Sequence, residues 1–233
     1  MSSIRLMNRI DTKFITNYST LLKLLEMTTD EYYAQELNGD RVNPYLTTYW
    51  DTPAHLFYMS HHDGHYPRKK VRVRTYLESD ITFLEVKKKN NHGRTTKTRI
   101  QVPAQDELAE PQVSTFLEKK VGMDLEEMRP VIQNRFDRIT LVNMGKTERL
   151  TIDFNIRFQN LETGVESGTG NLVIIELKRD GNVYSPVKEM LRKLRIKQDG
   201  FSKYCIGVVM TNPDIKQNMF KARMIDINKQ ITI

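Results

Sequence analysis

Apolar and charged side chains alternate along this chain in short runs, and the charged members keep falling on one side. The run Lys70-Val71-Arg72-Val73-Arg74-Thr75-Tyr76 is the clearest. Successive side chains of a strand point to opposite faces, so Lys70, Arg72, Arg74 and Tyr76 share one face and Val71, Val73 and Thr75 the other. The run from Phe83 to Lys89 puts Glu85, Lys87 and Lys89 on one side. The same alternation groups Lys97 with Arg99, Arg149 with Thr151 and Asp153, and Glu176 with Lys178. Like charges on neighbouring strands destabilise a sheet unless something neutralises them. Several basic strand faces carrying a few acids therefore describe a surface for a polyanion and its metal.

The remaining pattern fills in the architecture. Residues 1–16 read as a first strand, with Ile10, Thr12 and Phe14 alternating against Asp11 and Lys13. Ser19 to Met27 reads as a helix capped by Ser19, with a leucine stripe. Further strands are predicted over 45–50, 69–76, 82–89, 95–102, 132–142, 149–158 and 172–178, with Asn90-Asn91-His92-Gly93 as a hairpin turn. Residues 106–123 read as a helix ending near Gly122, and residues 160–170 as a loop. Ser185-Pro186 opens another helix, with Val187, Met190, Leu191 and Leu194 as its apolar side. The apolar run from Tyr204 to Met210 reads as a strand. Many hairpin-linked strands and few helices predict an α+β fold, an antiparallel barrel or strongly curved sheet with packed helices. A closed barrel would turn the charged faces inward, which is tolerable only in a wet interior or around a charged ligand.

Composition narrows the setting. With 233 residues, 39% of them hydrophobic, the chain fits a single domain over 1–233, and its net charge of +7 favours acidic partners. The lone cysteine, Cys205, excludes a disulfide framework or a cysteine-built zinc site within one chain, and points to a reducing, cytoplasmic setting. No apolar stretch reaches the length of a membrane span, and residues 1–9 lack the apolar core of a signal peptide.

Plainer readings compete for some of these features. His61-His62-Asp63-Gly64-His65 matches no zinc spacing and is expected in an exposed loop. Cys205 is expected to be a packing residue. The basic residues Lys188, Arg192, Lys193, Arg195 and Lys197 suit a solvated helix face, or a guide that draws a polyanion to a tunnel mouth.

An ordered set of segments carries a family resemblance. They are Asn8-Arg9-Ile10-Asp11-Thr12-Lys13-Phe14, Thr48-Tyr49-Trp50-Asp51-Thr52-Pro53, Lys70-Val71-Arg72-Val73-Arg74, and Phe83-Leu84-Glu85-Val86-Lys87. Arg149-Leu150-Thr151-Ile152-Asp153, Ile175-Glu176-Leu177-Lys178 and Phe201-Ser202-Lys203-Tyr204 complete it. Together they resemble the VTC-domain family of polyphosphate polymerases, within the triphosphate tunnel metalloenzyme group that includes the CYTH-type phosphatases. The resemblance implies an antiparallel β tunnel barrel and transfer of the terminal phosphate of ATP onto a growing polyphosphate chain, with manganese or magnesium. It implies that Lys13, Arg72, Arg74, Lys87, Lys97, Arg135, Arg149 and Lys203 grip phosphate, with a hydroxyl contact from Ser202. It makes Glu176 the principal metal ligand; Glu85 joins it, and Asp153 is a further assistant, on their strand faces. Asp11 stands where many relatives carry a glutamate, and is left out of the ligands as too short.

Three other functions are weighed beside this one. A triphosphatase would use the same tunnel to hydrolyse inorganic or nucleoside triphosphate, but that branch opens with a Glu-x-Glu-x-Lys strand absent here. A non-catalytic polyphosphate or nucleotide sensor would bind without turnover. Nucleic-acid binding is disfavoured, because the aromatics are not interleaved with the basic runs as a stacking platform requires. The expected partners are ATP and polyphosphate or triphosphate, with a separate membrane protein as a further candidate.

Overall fold

Among the described residues of the computed structural model, 9–181 and 183–232, ten strands join one antiparallel sheet. Residues 1–8, which hold the start of the predicted first strand and Asn8 of its motif, lie outside them. The chain runs β1 Arg9–Asn17, α1 Tyr18–Thr28, β2 Tyr32–Ala34, β3 Val42–Asp51, α2 Leu56–His62, β4 Arg68–Tyr76, β5 Ile81–Lys89 and β6 Thr95–Val102. It continues with α3 Pro111–Val121, β7 Arg129–Asn143, β8 Glu148–Asn160, β9 Glu166–Gly168, β10 Leu172–Asp180, α4 Pro186–Lys193, α5 Lys203–Thr211 and α6 Lys221–Thr232. The strand order is β1-β10-β8-β7-β3-β4-β5-β6, with β2 added to β7 and β9 to β8. Among the described residues β1 and β6 remain the two ends of this path, so the sheet curls into a half-barrel without closing by hydrogen bonds.

Three helices, α1, α3 and α4, cover the outer face where the alternation leaves apolar residues. α1 and α4 bring Leu21, Leu24, Val187 and Leu191 onto Phe14, Ile152, Ile175 and Leu177. The α1 cap is Asn17, whose Oδ1 accepts from Thr20 N at 2.9 Å, rather than the predicted Ser19, which donates to the same oxygen. α3 packs Val113, Leu117 and Val121 over β5 and β6. It starts five residues later than predicted because Pro111 sets its first turn, and it stops at Gly122 with φ +75°.

α5 corrects the sequence reading. Tyr204 to Met210 is helix, not strand: Ser202 caps it through its hydroxyl oxygen, 3.2 Å from Cys205 N, and Cys205 is buried in its first turn. A helix apolar on every side is one that is buried on every side. α5 lies within the concave face, where Gly207 meets Ile132 and Phe158; a Cβ there would come within 2.7 Å of the Phe158 ring.

A bulge in β8 makes room for it. Between Arg135↔Arg157 and Asp137↔Phe154 the β8 side holds one residue more than β7, and Asn155 takes the left-handed conformation, φ +51°. Before the bulge Asp153 faces inward; after it Ile156 and Phe158 do. The concave face is thus polar in one half and apolar, filled by α5, in the other.

Two loop expectations also change. The segment 160–170 contains β9. His61 and His62 belong to α2, and His62 is buried, with Nδ1 on Asp63 at 2.6 Å and Nε2 on Asn218 at 2.7 Å. No described helix is long and apolar enough to cross a membrane.

Candidate functional site

The polar half of the concave face encloses a cavity of about 140 Å³. Its walls come from strands whose inward faces the alternation had already grouped: Lys13 from β1, Tyr49 from β3, Lys70, Arg72 and Arg74 from β4, and Lys87 from β5. Arg138, Asp153, Glu176 and Lys178 complete it from β7, β8 and β10. Phe201, Ser202 and Lys203 roof it. Eight cationic side chains thus surround two carboxylates.

The roof is a strap that crosses the half-barrel. Asp199 N donates to Lys13 O at 2.9 Å, and Lys13 Nζ donates to Phe201 O at 3.1 Å. Lys70 Nζ then donates to Ser202 Oγ at 2.9 Å, and Lys203 pairs with Asp153. The strap therefore ties β1 to β4 and β8. It places Lys203 at the start of α5 with its ammonium 4.1 Å from the Phe136 ring centroid. Phe136 stacks on Tyr45 at 5.2 Å, and this aromatic floor also carries Arg74 and Arg138. The floor orders three cations without neutralising them.

Three ion-paired carboxylates hold neighbouring cations in position. Glu85 is fully buried behind Arg72, whose Nε donates to Oε2 at 2.7 Å, and Lys97 pairs with its other oxygen. Asp153 accepts from Arg138 Nη2 at 2.8 Å and from Lys203. Glu176 pairs with Lys178 at 2.9 Å. Burial works against ionising each carboxyl, and the adjacent cations outweigh it. Arg72, Arg74 and Lys97 hold Glu85 down at about 2. Arg138 and Lys203 hold Asp153 below the usual carboxylate range, as Lys178, Lys13 and Lys87 do Glu176.

The cations answer in the opposite sense. Burial lowers Lys178 and Lys203 to about 8 despite their acid partners. Arg72 and burial push Lys87 well below the ordinary lysine range. Buried Tyr49 is lowered to about 8: burial opposes its ionisation, and the surrounding Arg72, Arg74, Lys70 and Lys203 prevail. The cavity holds more positive charge than its own acids balance, and an anion would relieve it.

Of the sequence-derived site residues, Lys13, Arg72, Arg74, Lys87, Ser202, Lys203 and Glu176 line this one cavity. Three of the others are placed elsewhere. Arg135 is exposed on the outer face, opposite Arg157, because alternation along β7 turns Asn134, Phe136 and Arg138 inward. Arg149 is half-buried opposite Lys178 but does not line the cavity. Lys97 stands behind Glu85. Glu85 is corrected as a metal ligand: both oxygens are engaged by Arg72 and Lys97, so it positions Arg72 instead. Arg138, Lys178, Lys70 and Tyr49 are cavity residues that the sequence-derived set lacked. Lys70 and Lys178 were already on the right strand faces.

For a divalent metal, no group of three or more His, Cys, Asp or Glu side chains exists among the described residues. The donor set does not fit a resident ion held by protein alone. It fits magnesium or manganese carried on phosphate, which needs only one or two carboxylates from the protein and takes its other oxygens from the ligand and water. Of the two cavity carboxylates, Glu176 has one oxygen on Lys178, while both oxygens of Asp153 are taken by Arg138 and Lys203, so Glu176 is the one that could hold such an ion.

An antiparallel half-barrel with a cation-walled cavity on its concave face is the tunnel architecture, and the comparisons agree. The family model described as VTC domain matches residues 8–212, and the chain belongs to that family. No curated protein matches it significantly. Among solved structures it is similar to a proposed adenylate cyclase from Bacillus halodurans, at 15% identity over 84% of this chain and 94% of that one, TM-score 0.56. It is also similar to a proposed adenylyl cyclase from Hippeastrum that is described as having a dominant triphosphatase activity, at 14% identity over 86% and 95%, TM-score 0.56. At such identities the likeness is one of fold.

Proposed function

We propose that the cavity binds the triphosphate of ATP and transfers its terminal phosphoryl group to the end of a polyphosphate chain. The observation that carries this is the ring of eight cations around two ionised carboxylates on the concave face. Phosphoryl transfer asks little covalent chemistry of a protein; it asks for alignment and for fixed positive charge where negative charge develops. Arg72, Arg74 and Arg138 offer planar forks to phosphate oxygens, and Lys13, Lys87 and Lys203 offer point charges. In the reaction an oxygen of the chain's terminal phosphate attacks the γ-phosphorus. The bond from that phosphorus to the β,γ-bridging oxygen breaks, and ADP leaves with the electron pair. A divalent ion bound with the phosphates near Glu176 would supply further charge neutralisation.

The protonation states favour phosphate over water as acceptor. Glu176 and Asp153 are ion-paired and held below the usual carboxylate range, so neither is tuned as a general base near neutral pH. A phosphate acceptor is already deprotonated and needs no base. Hydrolysis of a triphosphate is the second reading, favoured by the activity of the Hippeastrum protein.

The test is incubation with ATP and manganese, with and without a short polyphosphate primer, and resolution of the products on a gel. A ladder of ATP-derived polymer, lost in Arg72→Ala and Lys203→Ala, is the expected result. Inorganic phosphate without polymer would replace the polymerase reading with the triphosphatase, and tight binding with neither product would leave a sensor.

A further inference from the structure

The basic helix α4 does not face the tunnel: its apolar side rests on the outer face of β1 and β10, across the sheet from the cavity. It therefore does not guide a polyanion to Lys13 or Lys203. Its exposed side instead borders a second hollow, of about 550 Å³. Phe14, Leu191 and Ile196 form the apolar floor, and Lys188, Arg192, Arg195 and Lys197 stand around it. Lys188 and Arg192 stand four residues apart on α4 and share one face, and Arg195 follows just past the end of the helix. Long basic side chains cover apolar surface with their methylene stems and keep the charge in water.

Three observations set the chemistry of what fits there. First, the rim carries four cations, and no ion pair engages any of them among the described residues; Asp199, close by in sequence, is taken by Arg223 at 2.6 Å. Second, Arg195 follows the helix in the left-handed conformation, φ +55°, where glycine is the unstrained residue. An arginine held there keeps a charge on the rim against local preference. Third, the strand edge beside the hollow is partly covered: Phe14 bridges to Gln198, and Lys13 O accepts from Asp199 N. A peptide adding a strand at this point would find the backbone in use, whereas an amphiphile needs only apolar floor and cationic rim.

We infer that this hollow is a binding site for acidic phospholipid, seating an acyl chain over Phe14, Leu191 and Ile196 and its phosphate among Lys188, Arg192, Arg195 and Lys197. Charge complementarity selects an anionic membrane surface, because basic clusters near apolar surface bind such surfaces additively. The proposal does not depend on the reaction in the tunnel.

The experiment is cosedimentation of the full chain with vesicles of phosphatidylcholine alone and of phosphatidylcholine mixed with phosphatidylglycerol. Binding is expected only to the acidic vesicles and weakens with salt. The triple variant Lys188→Glu/Arg192→Glu/Lys197→Glu alters exposed residues only, and should lower partitioning at least about tenfold. Lys119→Glu/Lys146→Glu/Lys221→Glu, with the same charge change elsewhere on the surface, should retain most of it. Arg72→Ala/Lys203→Ala should bind vesicles like the unaltered chain, which separates this site from the tunnel. Equal binding to neutral vesicles, equal loss in both charge-reversed triples, or loss in the tunnel variant would overturn the proposal. So would displacement from vesicles by millimolar glycerol phosphate, which would mark a headgroup site only. Binding of an acidic leucine-rich peptide without affinity for vesicles would replace lipid with a protein partner.

Discussion

Arg72 and Glu85 face each other directly across β4 and β5, and the guanidinium Nε donates to the carboxylate at 2.7 Å with Glu85 wholly removed from solvent. The carboxylate cannot reach a ligand. It serves by fixing the plane of Arg72, whose remaining edge looks into the cavity. Removing one partner of a buried pair leaves the other charge uncompensated, so Glu85→Gln should lose about 3 kcal/mol in urea unfolding. The pH dependence has a definite sign. Glu85 sits at about 2 folded against 4.5 unfolded, so its stabilisation is present above pH 4.5 and is lost as pH falls through about 2. Acid unfolding of the Gln variant should lack that component.

Arg138 and Arg135 provide a paired test of the strand faces. Arg138 points into the cavity and is bonded to Asp153, while Arg135 is exposed on the other side. Arg138→Ala should reduce phosphoryl transfer by about a hundredfold, the scale of losing one charge-stabilising donor. Arg135→Ala should stay within a factor of about two and leave stability within about 0.5 kcal/mol. Steady-state rates and melting curves on the two variants check this.

Ligand binding should take up protons. Lys178 and Lys203 titrate near about 8 in the free chain instead of 10.5, so above that pH they are largely neutral. A bound polyanion favours their charged forms and raises both values. Calorimetry of tripolyphosphate binding in two buffers of different ionisation enthalpy should therefore show net proton uptake near about pH 8.5 and much less near about pH 6.5. Affinity should fall as pH rises through 8. Lys203→Arg, which stays charged, should remove part of the uptake.

Gly207 reports on the packing of α5. Its missing side chain lets the helix approach Phe158 and Ile132, so Gly207→Ala forces a shift of ring or helix. It should cost about 1–3 kcal/mol by thermal unfolding, although Ala is the better helix former.

Much of this was legible in the chain, because alternation is a local property. Lys70–Tyr76 and Phe83–Lys89 declare their faces without reference to anything distant, and seven of the eight cavity cations, all but Arg138, lie on strand faces or motifs read from the sequence. What could not be read depends on contacts far apart in sequence. Tyr204 to Met210 is β-branched and uniformly apolar, so it signals burial but no period; only the concave surface that receives it makes it a helix. Which arginine of β7 enters the cavity depends on the phase of that strand, and the resemblance suggested Arg135 where the pairing selects Arg138. Glu85 was correctly placed on the inward face, but its neighbours Arg72 and Lys97 leave it no free oxygen.

Asn155 has a consequence for any sequence related to this one. Its left-handed backbone, with the side-chain amide on Asp137 at 2.8 Å, splits β8 into two reading frames. Up to Asp153 the odd positions look inward and are polar; from Ile156 the even ones do and are apolar. Drawing Asn155 into the regular alternation of the strand would be the structural counterpart of a frameshift, turning Arg157 toward the seat of α5 and Phe158 toward water with every letter of the strand unchanged, whereas deleting it would remove the bulge and leave both faces as they are.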